Sequence, residues 1–174
     1  FGQIIGIGST VSAVFPSFLN RPAMPYYLYQ KKICSLLRDR NFLKWHNGTM
    51  ERIPEFSITN ADGFTGFLGP NPNDPAECHV YIEQFLVPGM FRAPDDGSLA
   101  FVMTNPWVGS NTRDFEFTAT FDPAQYPGFP SDYTVAKVDD AGVETSLGAH
   151  SGPFALTDTV PSGHIVYWVF RGAE

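Results

Sequence analysis

Between residues 26 and 43 apolar side chains return every three or four positions: Tyr26, Tyr29, Ile33, Leu36, Leu37 and Leu43. That spacing gathers them on one stripe of a helix. Pro25 suits the first turn, where its missing N–H has no partner to lose. Asn47-Gly48 fits a left-handed stop, so the pattern predicts an amphipathic helix over 24–46. Past residue 53 strand signals take over. Strands are expected at 53–59, 79–87, 99–104, 114–121, 133–138, 153–159 and 164–171. Turn chemistry separates them: Asp62-Gly63, the proline-rich 70–75, Pro88-Gly89, Asp95-Asp96-Gly97, Pro127-Gly128, Asp139-Asp140-Ala141-Gly142 and Pro161-Ser162-Gly163. In 114–121, Phe115, Phe117, Ala119 and Phe121 alternate with Asp114, Glu116, Thr118 and Thr120, which buries one face and wets the other. The expected fold is mainly β, an antiparallel β-sandwich over 53–174 preceded by an N-terminal amphipathic helical segment over 1–52.

Two of these strands break the alternation. Leu99-Ala-Phe-Val-Met103 and Ile165-Val-Tyr-Trp-Val-Phe170 are apolar on both faces. Such strands need cover twice, from the opposing sheet and from something outside it. The helical leader, or a domain beyond this chain, is the expected second cover.

Composition sharpens this picture. With 174 residues, 43% of them hydrophobic, the chain can bury the core of one ordinary domain. A net charge of −7 argues against nucleic acid or an anionic membrane surface as partner. No apolar run approaches the ~20 residues of a membrane-spanning helix. Six of the eleven basic residues precede position 50, which sets the helical leader apart from the rest. The chain opens on Phe1 and lacks the basic start and cleavage site of a secretory signal, which reads as a processed, truncated or excised product. Cys34 and Cys78 allow a disulfide or two buried thiols. Asn47-Gly48-Thr49 fits the N-glycosylation pattern.

Few residues suggest chemistry. Gly6-Ile7-Gly8 lacks the third glycine of a dinucleotide loop, with Val11 in its place, and no cofactor is expected. His46, His79, His150 and His164 show no metal-ligand spacing, so no metal is expected either. No G-x-S-x-G elbow is present. Asp95-Asp96 and Asp139-Asp140 read as turn caps, and Asp114 and Glu116 as solvated charges on the wet face of one strand. No catalytic residue is assigned. Aromatic loops offer the alternative. Trp107 lies in Asn105-Pro-Trp-Val-Gly-Ser-Asn-Thr-Arg113 among amides and hydroxyls, and Tyr126 and Phe129 lie in Pro123–Pro130. Such rings either fold back as lids over the core or form a sugar-binding platform. The candidate ligand-binding set is Asn105, Trp107, Asn111, Arg113 and Tyr126.

The junction Phe101-Val-Met-Thr-Asn105, the long connection from Tyr126 to Tyr133, Val138-Asp-Asp-Ala-Gly142 and the closing Val160-Pro-Ser-Gly-His-Ile-Val166 resemble the C-terminal β-sandwich that follows the catalytic barrel of many glycoside hydrolases. Upstream, Tyr27 to Pro54, ending Asn47-Gly-Thr-Met-Glu-Arg-Ile-Pro54, is similar to the last barrel helix and exit segment of those enzymes. The likeness covers 25–174. It implies that acid and nucleophile carboxylates sit on a barrel upstream, with no matching catalytic position here. Three functions then compete: an accessory region that packs on a barrel or self-associates, an independent glycan- or protein-binding module, and a small enzyme built from carboxylates such as Asp95, Asp96, Asp114 and Glu116.

Overall fold

The computed structural model describes residues 42–64, 86–105, 113–139 and 142–173. A single helical turn, α1 (Leu43–His46), leads into β1 (Thr49–Met50) and β2 (Glu55–Ile58). After it come β3 (Val87–Arg92), β4 (Leu99–Thr104), β5 (Phe115–Phe121), β6 (Asp132–Val138), β7 (Glu144–Ser151), β8 (Phe154–Val160) and β9 (Ile165–Gly172). Among the described residues the strands form two antiparallel sheets, a six-stranded one ordered β1-β3-β4-β9-β6-β7 and a three-stranded one ordered β2-β5-β8. The two sheets enclose a common core, as the strand pattern predicts. The predicted helix from 24 to 41, the strand residues 79–85, both cysteines and Gly6-Ile7-Gly8 lie outside the described residues.

Two expectations need correction. Pro88-Gly89 is not a turn but part of β3, where Pro88 pairs with Met103. On its other side β3 meets β1 only at Phe91 and Arg92, so Pro88 sits where the sheet does not need its N–H from that neighbour. Gly48 ends the helical turn without a left-handed backbone. Its amide donates to the Trp45 carbonyl at 2.9 Å, and the strand β3 passes so close that a Cβ at Gly48 would lie 1.7 Å from the Arg92 carbonyl oxygen. No side chain fits there. Gly48→Ala is therefore expected to push β1 off β3 and cost about 2–3 kcal/mol, read as a lowered urea midpoint. An unchanged midpoint would show that this approach is dispensable.

The central pair explains the two doubly apolar stretches. β4 and β9 pair over their whole length, Leu99 opposite Phe170 through Thr104 opposite Ile165, with β3 and β6 outside them. Their inward residues Leu99, Phe101, Met103, Val166, Trp168 and Phe170 meet Phe115, Phe117 and Phe121 of the small sheet in one buried cluster. Phe121 stacks on Phe170 at 3.9 Å between ring centroids, and Trp168 meets Phe117 edge-on at 5.2 Å. At the rim of the same interface Lys137 of β6 reaches across to Asp158 of β8 at 2.7 Å, joining the two layers by charge where the core ends.

β7 behaves differently. Every residue of it is exposed except His150, which is intermediate. Its register against β6 slips between Val135 and Ala136, leaving Leu147 without an opposite residue beside Gly148. This is a β-bulge on an edge strand.

Candidate functional site

Residues of β4 and β9 that point away from the small sheet form a second buried cluster. Ala100, Val102, Ile165, Tyr167 and Val169 lie in it with Phe91 and Val138 of the flanking strands, and Phe42 and Trp45 of the N-terminal segment belong to it as well. Phe42 meets Tyr167 at 5.2 Å and Phe91 edge-on at 5.9 Å, and Trp45 lies 5.8 Å from Tyr167. The outer face of the large sheet is thus a dry interface, and the segment before β1 supplies part of its cover.

Polar contacts fix the register of this docking. Trp45 Nε1 donates to Ser98 Oγ at 2.9 Å. Ser98 Oγ in turn donates to Asp96 Oδ1 at 2.6 Å, while the Ser98 amide donates to the same oxygen at 3.0 Å. Lys44 bonds the other oxygen, Asp96 Oδ2. The turn between β3 and β4 therefore caps itself, as its composition implies, and also clasps α1. Two buried polar atoms on this face, Thr104 Oγ1 and Tyr167 Oη, have no hydrogen-bond partner. Burial is the main cause that pushes the Tyr167 hydroxyl well above its ordinary range.

Burial alone would raise the Asp96 carboxyl, but the hydrogen bonds from Lys44 and Ser98 outweigh it and hold the group at about 2. A depressed carboxyl adds stability above its unfolded value near 4 and loses it as pH falls toward 2. Because Asp96 is about half exposed, with 46% of its side chain accessible, the contribution is expected to be about 0.5–1 kcal/mol. Urea midpoints of the wild type and Asp96→Asn should differ at neutral pH and converge between pH ~4 and ~2. A gap independent of pH would remove Asp96 from the clasp.

Three of the five candidate ligand residues make bonds that serve the fold. Asn105 is fully buried; its Nδ2 donates to the Arg113 carbonyl at 2.8 Å and the Val160 carbonyl at 2.9 Å. The Arg113 guanidinium donates to the carbonyls of Asn60 and Asp62 and lies 5.2 Å from the Phe64 ring centroid. Tyr126 folds back as a lid, stacked on Phe121 at 5.1 Å, with its hydroxyl donating to the Arg52 carbonyl at 3.0 Å. Trp107 and Asn111 lie outside the described residues. Asn105 and Arg113 thus close the base of the loop that carries them, and among the described residues Tyr126 packs as a lid rather than standing open.

Carboxylates are engaged structurally as well. Asp114 Oδ1 accepts from the Ser162 amide at 2.8 Å, and Asp139 Oδ1 from the Val143 amide at 2.9 Å. Asp122 caps the 3-10 turn Pro123–Gln125 through the Ala124 amide. Among the described residues no group of three or more His, Cys, Asp or Glu side chains is placed to hold a metal ion, and no helix there is long and apolar enough to cross a membrane. Sequence reasoning passed over Phe42, Trp45 and Ser98. The signal was weak: Phe42 and Trp45 are three apart and so share a face, but on a helix over 24–46 that face lies opposite the apolar stripe.

No family model matches the chain, and no curated protein matches it. Among solved structures it is similar to a bifunctional glucanase-xylanase from a metagenome library, 16% identical with a TM-score of 0.31 over 51% of this chain and 16% of that one. It is also similar to a Paenibacillus polymyxa xyloglucanase of glycoside hydrolase family 44, 18% identical with a TM-score of 0.31 over 50% of this chain and 16% of that one. The same xyloglucanase with xyloglucan gives 18% identity and a TM-score of 0.30 over 51% and 17%. The chain spans about a sixth of the length of these proteins.

Proposed function

We propose that this chain is an accessory, non-catalytic β-sandwich region of a carbohydrate-active, glycoside hydrolase-like protein. The segment before β1 forms its cover, and the covered sheet lies toward a catalytic barrel domain. The observation that carries this reading is the dry outer face of the six-stranded sheet, with Phe42 and Trp45 already seated on Tyr167. A sheet buried on its second face has a second layer over it, and here the chain's own N-terminal segment supplies part of that layer. The sequence likeness over 25–174 supports a barrel as the neighbour of that layer. The carboxylates weighed as catalytic sit in turns, ion pairs or solvent, and Asp96 is held at low pKa, the opposite of what a general acid needs.

Two measurements test it. The coding sequence upstream of the Phe1 codon should hold an open frame for a βα-barrel, and a frame without one would overturn the proposal. The chain alone should give no turnover in a glycosidase screen; turnover lost on neutralising Asp95, Asp96, Asp114 and Glu116 would overturn its non-catalytic part.

One observation favours a second reading, an independent glycan- or protein-binding module. Asn105 and Arg113 clamp the base of the 105–113 loop at 2.8 Å, the loop whose sequence carries Trp107 and Asn111. On this reading Trp107→Ala should lose retention on an immobilised glycan, and equal retention of mutant and wild type would remove it.

A further inference from the structure

Beside the turn that clasps α1, three segments distant in sequence meet around a cavity of about 390 Å³. Asp96 and Ser98 come from the β3–β4 turn, Phe129 and Pro130 from the loop before β6, and Arg171 from the end of β9. Gly172 lets these walls meet, since a Cβ there would lie 2.7 Å from Pro130 Cγ. Gly97 and Gly128 turn the chain along the cavity wall. Both have positive φ, +67° and +76°, and a Cβ on either would meet nothing within 4 Å.

The chemistry of the walls defines the ligand. Phe129 is braced by the core, edge-on to Phe121 at 5.7 Å and 5.8 Å from Tyr133, so it presents a fixed apolar surface. Each charge on the walls is already balanced. Asp96 is paired with Lys44, and Arg171 holds Glu144 through two hydrogen bonds of 2.7 and 2.9 Å. The cavity therefore offers a carboxylate acceptor and a guanidinium without a net field that would select an ion. A polyhydroxylated ring matches such a site, since it stacks an apolar face on an aromatic ring and bonds an acceptor and a donor while carrying no charge. We propose that this cavity binds one pyranose unit of a neutral saccharide. The cavity shares Asp96 and Ser98 with the clasp that holds α1, so the variants that test it leave both residues in place.

The test is an amide NMR titration of the full chain with cellobiose, using glucuronate as the charged comparator. Gly97, Gly128 and Gly172 should shift saturably with cellobiose at a Kd of about 1–10 mM, with glucuronate weaker. Ala173→Phe fills the cavity from an exposed position that lines it, while the Ala173 amide keeps its bond to the Asp132 carbonyl. It should abolish the shifts with the rest of the spectrum intact. If that variant does not fold, Phe129→Ala should weaken binding about tenfold, the effect of losing the apolar surface. The proposal is overturned by no saturable shift at about ten times that Kd, by undiminished shifts in folded Ala173→Phe, by tighter binding of glucuronate, or by shifts confined to 106–112.

Discussion

Trp45→Ala is expected to cost about 3–5 kcal/mol and to make the chain self-associate. The indole is nearly buried, at 4% exposure, on the outer face of the large sheet. It contacts Tyr167, carries Lys44 5.2 Å above its ring and donates to Ser98. Removing it opens a hole over Tyr167 and frees α1 to leave. The apolar strip then exposed is the kind of surface that seeks a second copy. Urea denaturation reads the loss of stability, and sedimentation velocity at rising concentration reads the association. A monomer of wild-type stability would mean that α1 is not part of the cover. Trp45→Phe should fall between, at about 2 kcal/mol, because it keeps most of the contact but loses the hydrogen bond.

Trp168 faces the opposite way and tests the sandwich itself. It is fully buried, 5.8 Å from Phe101 and 5.2 Å from Phe117. Trp168→Ala should cost about 3–5 kcal/mol through transfer and cavity effects together. Its Nε1, however, has no hydrogen-bond partner. Trp168→Phe therefore removes a desolvated donor along with some volume, and its net cost should be only about 1 kcal/mol. The two phenylalanine variants should rank opposite to their burial, with the more exposed Trp45 the more sensitive. Urea midpoints showing Trp168→Phe as the worse of the two would mean that the Trp168 indole N–H finds a partner in solution.

These contrasts also mark what the sequence makes legible. The β5 alternation and the two-sided strands β4 and β9 are visible because burial follows side-chain period. Those strands are also the centre of the fold. β7 is invisible for the same reason in reverse: it buries almost nothing, so its residues carry no apolar rhythm. Pro88-Gly89 has turn composition but lies in a strand, since pairing with β4 overrides local preference. At the candidate site Asn105 and Arg113 look like ligand residues because amides and guanidinium groups in loops serve recognition and loop closure alike. Only the positions of the carbonyls of Val160, Asn60 and Asp62, distant in sequence, show which carbonyls they bind. The Asp96–Ser98–Trp45 chain joins residues 53 positions apart, a distance no local pattern spans.

The slip at Leu147 has a consequence for misassembly. Among the described residues β7 is an edge of the large sheet, eight residues long, and a straight edge of that length would template fibril growth by adding strands from other molecules. The unmatched Leu147, beside a Gly148 at φ +98°, twists the row of donors and acceptors out of line. An incoming strand finds only a short stretch to grip on either side of the kink, so recruitment of further copies at that edge is blocked by backbone geometry rather than by charge.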